Sequence, residues 1–267
     1  MIAFPNAKIN IGLNIVRKRS DGYHDLETVF YPVMIKDVLE VVEDRELSFN
    51  SSGIAVPGRP EDNICLKAYK LLSHDIKLPP VKIHLHKNIP IGAGLGGGSA
   101  DASFFIKLMN EKFTLGLSIE KMENYASQLG ADCPFFIRNQ PVYAIEKGDK
   151  FENVRLDLSG YQLVLVMPDI HIPTSAAFRD ISPSPSTKSL KDLIKNNISE
   201  WKDSISNDFE PGIMKHFPEI LSIKESLYDA GAVYASMSGS GSSVYGIFNA
   251  PVKLEELEEG NRVFYGV

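Results

Sequence analysis

Gly92-Ala93-Gly94-Leu95-Gly96-Gly97-Gly98-Ser99-Ala100-Asp101-Ala102 places five glycines in seven positions between a strand pattern and a helix pattern. Upstream, Val81, Ile83 and Leu85 alternate with Lys82, His84 and His86, the period of a half-buried strand, and Pro90 ends the run. Downstream, Ser99 is placed to cap a helix whose apolar positions include Ala102, Phe105, Leu108 and Met109. Glycine admits positive φ and lets a polyanion approach the backbone N–H groups, and a helix N-terminus adds partial positive charge. The stretch reads as a phosphate cradle that needs no side-chain charge. The plainer reading is a glycine-rich helix entry without a ligand.

The spelling of the loop separates families. Gly92-x-Gly94-x-x-Gly97 fits a dinucleotide fingerprint, but no earlier βαβ frame surrounds it. A Walker A loop ends in Gly-Lys-Ser/Thr, and here Gly98, Ser99 and Ala100 stand instead, which excludes the P-loop NTPases.

The chain of 267 residues suffices for two modest domains, with 43% hydrophobic and 23% charged residues, as in an ordinary soluble protein. A net charge of −6 argues against a nucleic-acid footprint, which needs a basic face. The apolar run 161–167 is too short for a bilayer and the N-terminus lacks a signal-peptide plan, so no membrane is expected and the expected compartment is the cytoplasm. Cys65 and Cys133 form neither a CxxC nor a CxxH pair, which leaves no disulfide frame or zinc site. His84 and His86 share a strand face without a third metal ligand in view, and a solvated polar face is the simpler account. No obligate protein partner is indicated.

Along the chain, Ala7, Ile9, Ile11, Leu13 and Ile15 alternate with Lys8, Asn10, Gly12 and Asn14, which puts the lysine and both asparagines on one polar strand face. Asp21-Gly22 predicts a hairpin turn into a strand through Leu26, Val29 and Phe30. Further strands are expected at 37–43, 81–87, 142–146 and 161–167, with helices at 63–73 and at 119–129, the latter stopped by Gly130. Sequence character changes near residue 155, the expected domain boundary, giving domains 1–155 and 156–267. Segment 182–188 reads as an exposed low-complexity loop. Helices near 189–204 and 219–229 follow, and two short strands flank Ser238-Gly239-Ser240-Gly241-Ser242-Ser243.

Three separated motifs coincide: Pro5-Asn6-Ala7-Lys8-Ile9-Asn10, the glycine loop from Pro90 to Ser99, and Met237-Ser238-Gly239-Ser240-Gly241. Together they resemble the GHMP kinases, the superfamily of galactokinase, homoserine kinase, mevalonate kinase and phosphomevalonate kinase. Arg19-Ser20-Asp21-Gly22-Tyr23-His24 and Leu129-Gly130-Ala131-Asp132-Cys133-Pro134-Phe135-Phe136 are similar to a member acting on a cytidine-diphosphate-linked alcohol of the non-mevalonate isoprenoid route. The likeness covers nearly the whole chain and weakens after Phe248. It implies an α+β fold of two domains, the first like ribosomal protein S5 domain 2 and binding ATP, the second ferredoxin-like and binding substrate, with ATP and substrate meeting in the cleft. The Asp21-Gly22-Tyr23-His24 block argues against a mevalonate- or homoserine-type kinase. A non-catalytic S5-like binding module is the rival from another class.

Phosphoryl transfer needs positioning, charge stabilisation and a carboxylate to take the acceptor's proton. Asp132 is the candidate base, set among apolar Leu129, Phe135 and Phe136, and Lys8 is the candidate cation beside it. Without the resemblance, Lys8 reads as one cation on a solvated strand face and Asp132 as a turn-capping acid. By resemblance the two form a catalytic pair. The expected nucleotide residues are Pro90, Gly92, Gly94, Leu95, Gly96, Gly97, Gly98 and Ser99, with Asn63 and Lys67 bordering adenine. Asp101 reads as a magnesium ligand or a helix cap. Magnesium is expected with ATP, its protein ligands unassigned. For the acceptor, the resemblance implies Tyr23 and His24 at the cytidine, with Phe178 the opposing aromatic, and Asn10, Asp132, Thr174, Ser238 and Gly239 nearby.

Overall fold

The computed structural model describes residues 1–185 and 188–267. Its strands are β1 Ile2–Ala3, β2 Asn6–Lys18, β3 His24–Lys36, β4 Val38–Glu43, β5 Ser48–Gly53, β6 Val81–Lys87, β7 Val142–Glu146, β8 Lys150–Asn153, β9 Gln162–Pro168, β10 Tyr234–Met237, β11 Val244–Phe248 and β12 Asn261–Tyr265. Its helices are α1 Ile64–Asp75, α2 Gly97–Lys112, α3 Ile119–Ser127, α4 Cys133–Arg138, α5 Thr174–Ala177, α6 Leu190–Leu193, α7 Glu210–His216, α8 Pro218–Asp229 and α9 Glu255–Glu258. None of these helices is long and apolar enough to cross a membrane. The chain divides into two compact units, one of Met1–Ala7, Ile35–Ile91 and Gly96–Gln140, the other of Lys8–Met34, Gly92–Leu95 and Pro141–Val267. Residue 155 lies inside the second unit.

The first unit is built on a sheet of order β1-β4-β6-β5. The alternation along β6 does what its period demands: Val81, Ile83 and Leu85 are buried, with Leu39 and Val41 of antiparallel β4 beside them. They share a core with Leu72 of α1, Phe105 and Met109 of α2 and Tyr125 of α3. Asn63 caps α1 by accepting from the Cys65 N–H at 2.9 Å. Ser118 does the same for α3 through Lys121 at 3.2 Å. Helix α3 stops before the expected Gly130. Its last turn tightens, with Gln128 N–H on Tyr125 O at 3.2 Å and Leu129 N–H on Ala126 O at 2.9 Å, so Gln128 takes the C-cap.

The second unit carries two sheets, of order β2-β3-β7-β8 and β10-β11-β9-β12. Gly22, at φ +85°, turns β2 into β3 as the Asp21-Gly22 dipeptide predicts. In the other sheet β9 lies between β11 and β12, antiparallel to both. Ile220, Ile223 and Leu227 of α8 share a core with Val166, Ala235 and Val244. The helix expected over 189–204 is two short pieces, α6 and a 3₁₀ turn at Ile198–Asp203. The Asn197 side chain explains the break, since it accepts from the Ser199 N–H at 3.1 Å and starts a new turn. Of the expected loop 182–188, Ser186 and Thr187 lie outside the described residues.

Candidate active site

Gly92, Gly94 and Gly96 hold φ of +70°, +77° and +69°, a conformation L side chains rarely adopt. The last of them takes the N-cap of α2. Ser99 is therefore not the cap but the third residue of the helix. Glycine at the cap offers no side chain, so the unpaired N–H groups that every helix start presents remain for a ligand. A side chain at Gly98 would meet nothing within 4 Å, which leaves that face of the first turn open.

In the second unit, strand β2 is buried on both faces from Asn6 to Leu13. The expected solvated polar face does not exist: Lys8 is 4% exposed and Asn10 3%. A buried ammonium needs partners. Lys8 Nζ donates to Asn10 Oδ1 at 2.5 Å and to Gly94 O at 3.2 Å, and lies 4.8 Å from the centre of the Phe30 ring. Ser238 Oγ donates to the same Gly94 oxygen at 2.9 Å and accepts from the Asn10 N–H at 3.2 Å. A Cβ at Gly94 would fall 2.0 Å from Ser238 O, so only glycine allows the two loops to approach. Gly239, at φ +57°, would place a Cβ 3.2 Å from Asn10 Oδ1. The Lys8 N–H also donates to Leu95 O at 3.0 Å, so Lys8, Asn10, Gly94, Leu95 and Ser238 form one hydrogen-bonded cluster against which Gly239 packs.

Two residues that hold this cluster escape a sequence reading. Asn207 Nδ2 donates to Met237 O at 2.9 Å and Gly239 O at 2.8 Å, while Glu210 Oε1 accepts from Met237 N–H at 2.7 Å. The available signal was Asn207-Asp208 ahead of Pro211, a capping residue before a first-turn proline.

At the hairpin end, Arg19 bonds Asp21 at 3.2 Å and Asp25 at 2.7 Å, fixing the turn that carries Tyr23 and His24. The ring stacked on Phe178 is His24, at 4.8 Å and 17°, and Phe209 meets Phe178 edge-on at 4.9 Å. Tyr23 is 62% exposed, with Lys147 Nζ 5.2 Å from its ring centre. Thr174 opens α5 and is exposed, three residues before the end that meets Phe178.

In the first unit, Asn63 lines a cavity of about 160 Å³ with Phe49, Ser51, Val56, Pro57 and Pro60. Lys67 is exposed on the next turn of α1. Pro90 is buried at the start of the loop. Asp132 stands at the N-cap position of α4 but makes no capping bond with its side chain, contrary to the turn-capping reading. Its turn is well fixed. Ser103 Oγ donates to Cys133 O at 2.6 Å, and a Cβ on Gly130 would press on Cys133 Sγ at 3.2 Å. Burial raises the Cys133 thiol to about 11, so it remains protonated at neutral pH.

Asp101 neither caps α2 nor faces the loop's open side. It is 2% exposed and accepts from Lys87 Nζ at 2.8 Å, and Lys87 also donates to the buried Asp37. Burial pushes the Asp101 carboxyl up to about 8, against the pull of Lys87 and with a further push from Asp37. Burial alone would lower the Lys87 ammonium, but the two carboxylates hold it above its ordinary value. No group of three or more His, Cys, Asp or Glu among the described residues can hold a metal ion. His84 and His86 instead share Ser52 Oγ, at 3.0 and 2.9 Å.

The family of GHMP kinase N-terminal domains matches residues 63–140, and that of GHMP kinase C-terminal domains matches residues 189–265. The chain belongs to the GHMP kinases, and the α+β architecture of two domains expected from the sequence is theirs. The 4-diphosphocytidyl-2-C-methyl-D-erythritol kinase of Bacteroides fragilis is 53% identical over 262 residues, 97% of this chain and 96% of its own. The enzyme of that name from Bacteroides thetaiotaomicron is 51% identical, over 99% of this chain and 98% of its own. A crystal structure of 4-(cytidine 5'-diphospho)-2C-methyl-D-erythritol kinase superposes with a TM-score of 0.81 at 26% identity, over 100% of this chain and 98% of that one. A mevalonate kinase structure shares the fold, at a TM-score of 0.72 and 15% identity, over 99% of this chain and 98% of that one.

Two outcomes follow from this geometry. Gly94→Ala is expected to lower the melting temperature markedly, since its methyl group meets backbone oxygen at 2.0 Å, while Gly98→Ala, with nothing within 4 Å, leaves it nearly unchanged. Thermal unfolding of the two variants side by side measures the contrast. The Asp101 carboxyl, raised to about 8 in the fold from an ordinary 3.8, binds a proton on folding between those values. Its contribution to stability is therefore full below the lower value, declines as pH rises between them and levels off above the upper one. Asp101→Asn should flatten the fall in stability between about pH 5 and 8, read by urea unfolding at each pH.

Proposed function

We propose that this chain transfers the γ-phosphoryl group of ATP to the 2-hydroxyl of 4-diphosphocytidyl-2-C-methyl-D-erythritol, releasing ADP, in non-mevalonate isoprenoid precursor synthesis. The observation that carries the reading is identity of about half over nearly the whole chain to curated kinases of that name. Two free, buried cysteines agree with action in the reducing cytoplasm.

In this reading the acceptor oxygen attacks the γ-phosphorus, the bond to the β,γ-bridging oxygen breaks, and Asp132 takes the hydroxyl proton. Lys8 orients the hydroxyl. The open first turn of α2 and the loop from Pro90 to Ser99 receive the phosphates through N–H groups, which act without reorganising as charge develops. Asn63 and Lys67 flank the adenine, and the cavity beside Asn63 supports that role. Tyr23, His24 and Phe178 take the cytosine, with Asn10, Thr174, Ser238 and Gly239 along the rest of the acceptor. Mg²⁺ arriving with ATP would be held largely by phosphate oxygens and water, and the loop's N–H groups act beside it.

ADP release from ATP with a panel of acceptors tests the assignment. Turnover with the cytidine-linked alcohol alone is expected, and good turnover of mevalonate or homoserine with none of the cytidine compound would overturn it. Tyr23→Ala should raise the KM for the acceptor more than it lowers kcat and leave the KM for ATP unchanged, because a ring remote from the reacting atoms contributes equally to ground and transition states. Phe178→Ala should behave alike, with a melting curve alongside because that ring also packs on Phe209. Asp132→Asn should cut kcat by roughly 10²–10⁴ while ATP affinity stays near wild type. Retention of more than half the turnover would remove Asp132 from the reaction.

A further inference from the structure

Asp37, Lys87 and Asp101 meet in the interior of the first unit, at 0%, 3% and 2% exposure. Asp37 and Asp101 hold the segments on either side of the glycine loop, and Lys87 joins them. Asp37 Oδ1 accepts from the N–H groups of Asn88 at 2.6 Å and Ile89 at 2.8 Å, which lead into the loop. Its other oxygen accepts from Lys87 Nζ, and Lys87 reaches across to Asp101, the fifth residue of α2, which leads out of it. Gly97 lies directly on this bridge, for a Cβ there would fall 3.0 Å from Lys87 Nζ and 2.8 Å from Ile89 Cγ2.

Stability does not account for such a cluster. Buried ion pairs are often matched or bettered by apolar residues of the same volume, and here two carboxyl groups share one ammonium while Asp101 Oδ1 has no hydrogen-bond partner. What directional bonds supply and apolar packing does not is a fixed distance between the points they join. We propose that Asp37, Lys87 and Asp101 are positioning residues that set the span of the glycine loop, and so the aim of its N–H groups at nucleotide phosphates. The inference rests on the reading of that loop as the ATP site.

The experiment measures ATP and ADP affinity by calorimetry, both KM values and the melting temperature for Lys87→Met, Lys87→Met/Asp101→Leu, Asp101→Ala and Asp101→Asn. The double variant replaces the ion pair with apolar volume. Asp37 then keeps only its two N–H donors, so this variant is expected to melt below the wild-type temperature. Once folded, it is expected to bind ATP about tenfold or more weakly, with the acceptor KM within about twofold of wild type. Asp101→Ala frees the helix end alone and should weaken ATP severalfold, whereas Asp101→Asn keeps an oxygen for Lys87 and should restore most of it. If the lysine variants do not fold, the Ala and Asn pair at 101 decides. Wild-type ATP affinity in a folded double variant overturns the proposal, as does an equal rise of both KM values. A wild-type protein that binds no ATP overturns it by a separate route, because the reading of the loop itself then fails.

Discussion

A lysine ammonium buried inside a strand covered on both faces is the constraint from which much of the second unit follows. Lys8 cannot be left dry and unpaired, since an uncompensated charge in the interior costs several kcal/mol. Its donors reach Asn10 Oδ1 and Gly94 O, and Asn10 in turn donates to Thr28, which bonds Gly12 O. Satisfying one cation therefore draws the loop backbone at Gly94 onto the strand. Ser238 then completes the second acceptor position of the same carbonyl, and Asn207 fixes the backbone on either side of that serine. A chain of obligations, each imposed by the last, orders three stretches that are far apart in sequence.

Glycine serves different ends at neighbouring positions. At Gly94 the need is proximity, because a backbone oxygen occupies the place of a side chain. At Gly96 the need is a left-handed N-cap that withholds any capping group, and at Gly98 an open face. Sequence alone shows the density of glycines and the helix that follows, but not this division of labour. That division depends on Ser238, more than a hundred residues away.

The parts of the fold that were legible are those whose signal is local. Alternation at 81–87, the Asp21-Gly22 turn, the helix that begins at Asn63 and the apolar positions of α2 all have periods or side chains that act within a few residues. The solvent-facing assignment of Lys8 failed because alternation reports two faces and not which of them is covered. The long helix at 189–204 failed because Asn197 competes for a backbone N–H. Among the candidate site residues, Lys8, Asn10, Gly94 and Ser238 were found by motif and are joined by hydrogen bonds. Asn207 and Glu210 were not, since a buried polar side chain that supports another loop leaves no pattern of its own. Asp101 reads from the sequence as a cap or a metal ligand because the partners that bury it, Lys87 and Asp37, lie 14 and 64 positions back.

The acid balance of the chain and its reading as a polyanion-binding kinase are compatible for a reason that lies in the kind of donor used. A site made of side-chain cations contributes to net charge and to a long-range field, and would draw nucleic acid and other polyanions indiscriminately. N–H groups at a helix start carry only partial charges whose effect falls off within a turn. They act on a phosphate that is already placed and scarcely on one passing at a distance. A protein of net charge −6 can thus keep unselected polyanions away and still offer a phosphate its donors, provided that shape and the rest of the ligand bring that phosphate to the loop. In the proposed reading selectivity then moves to the flanking contacts, such as the aromatic stack of His24 and Phe178, because N–H groups alone distinguish one phosphate from another only by where the remainder of the molecule is held.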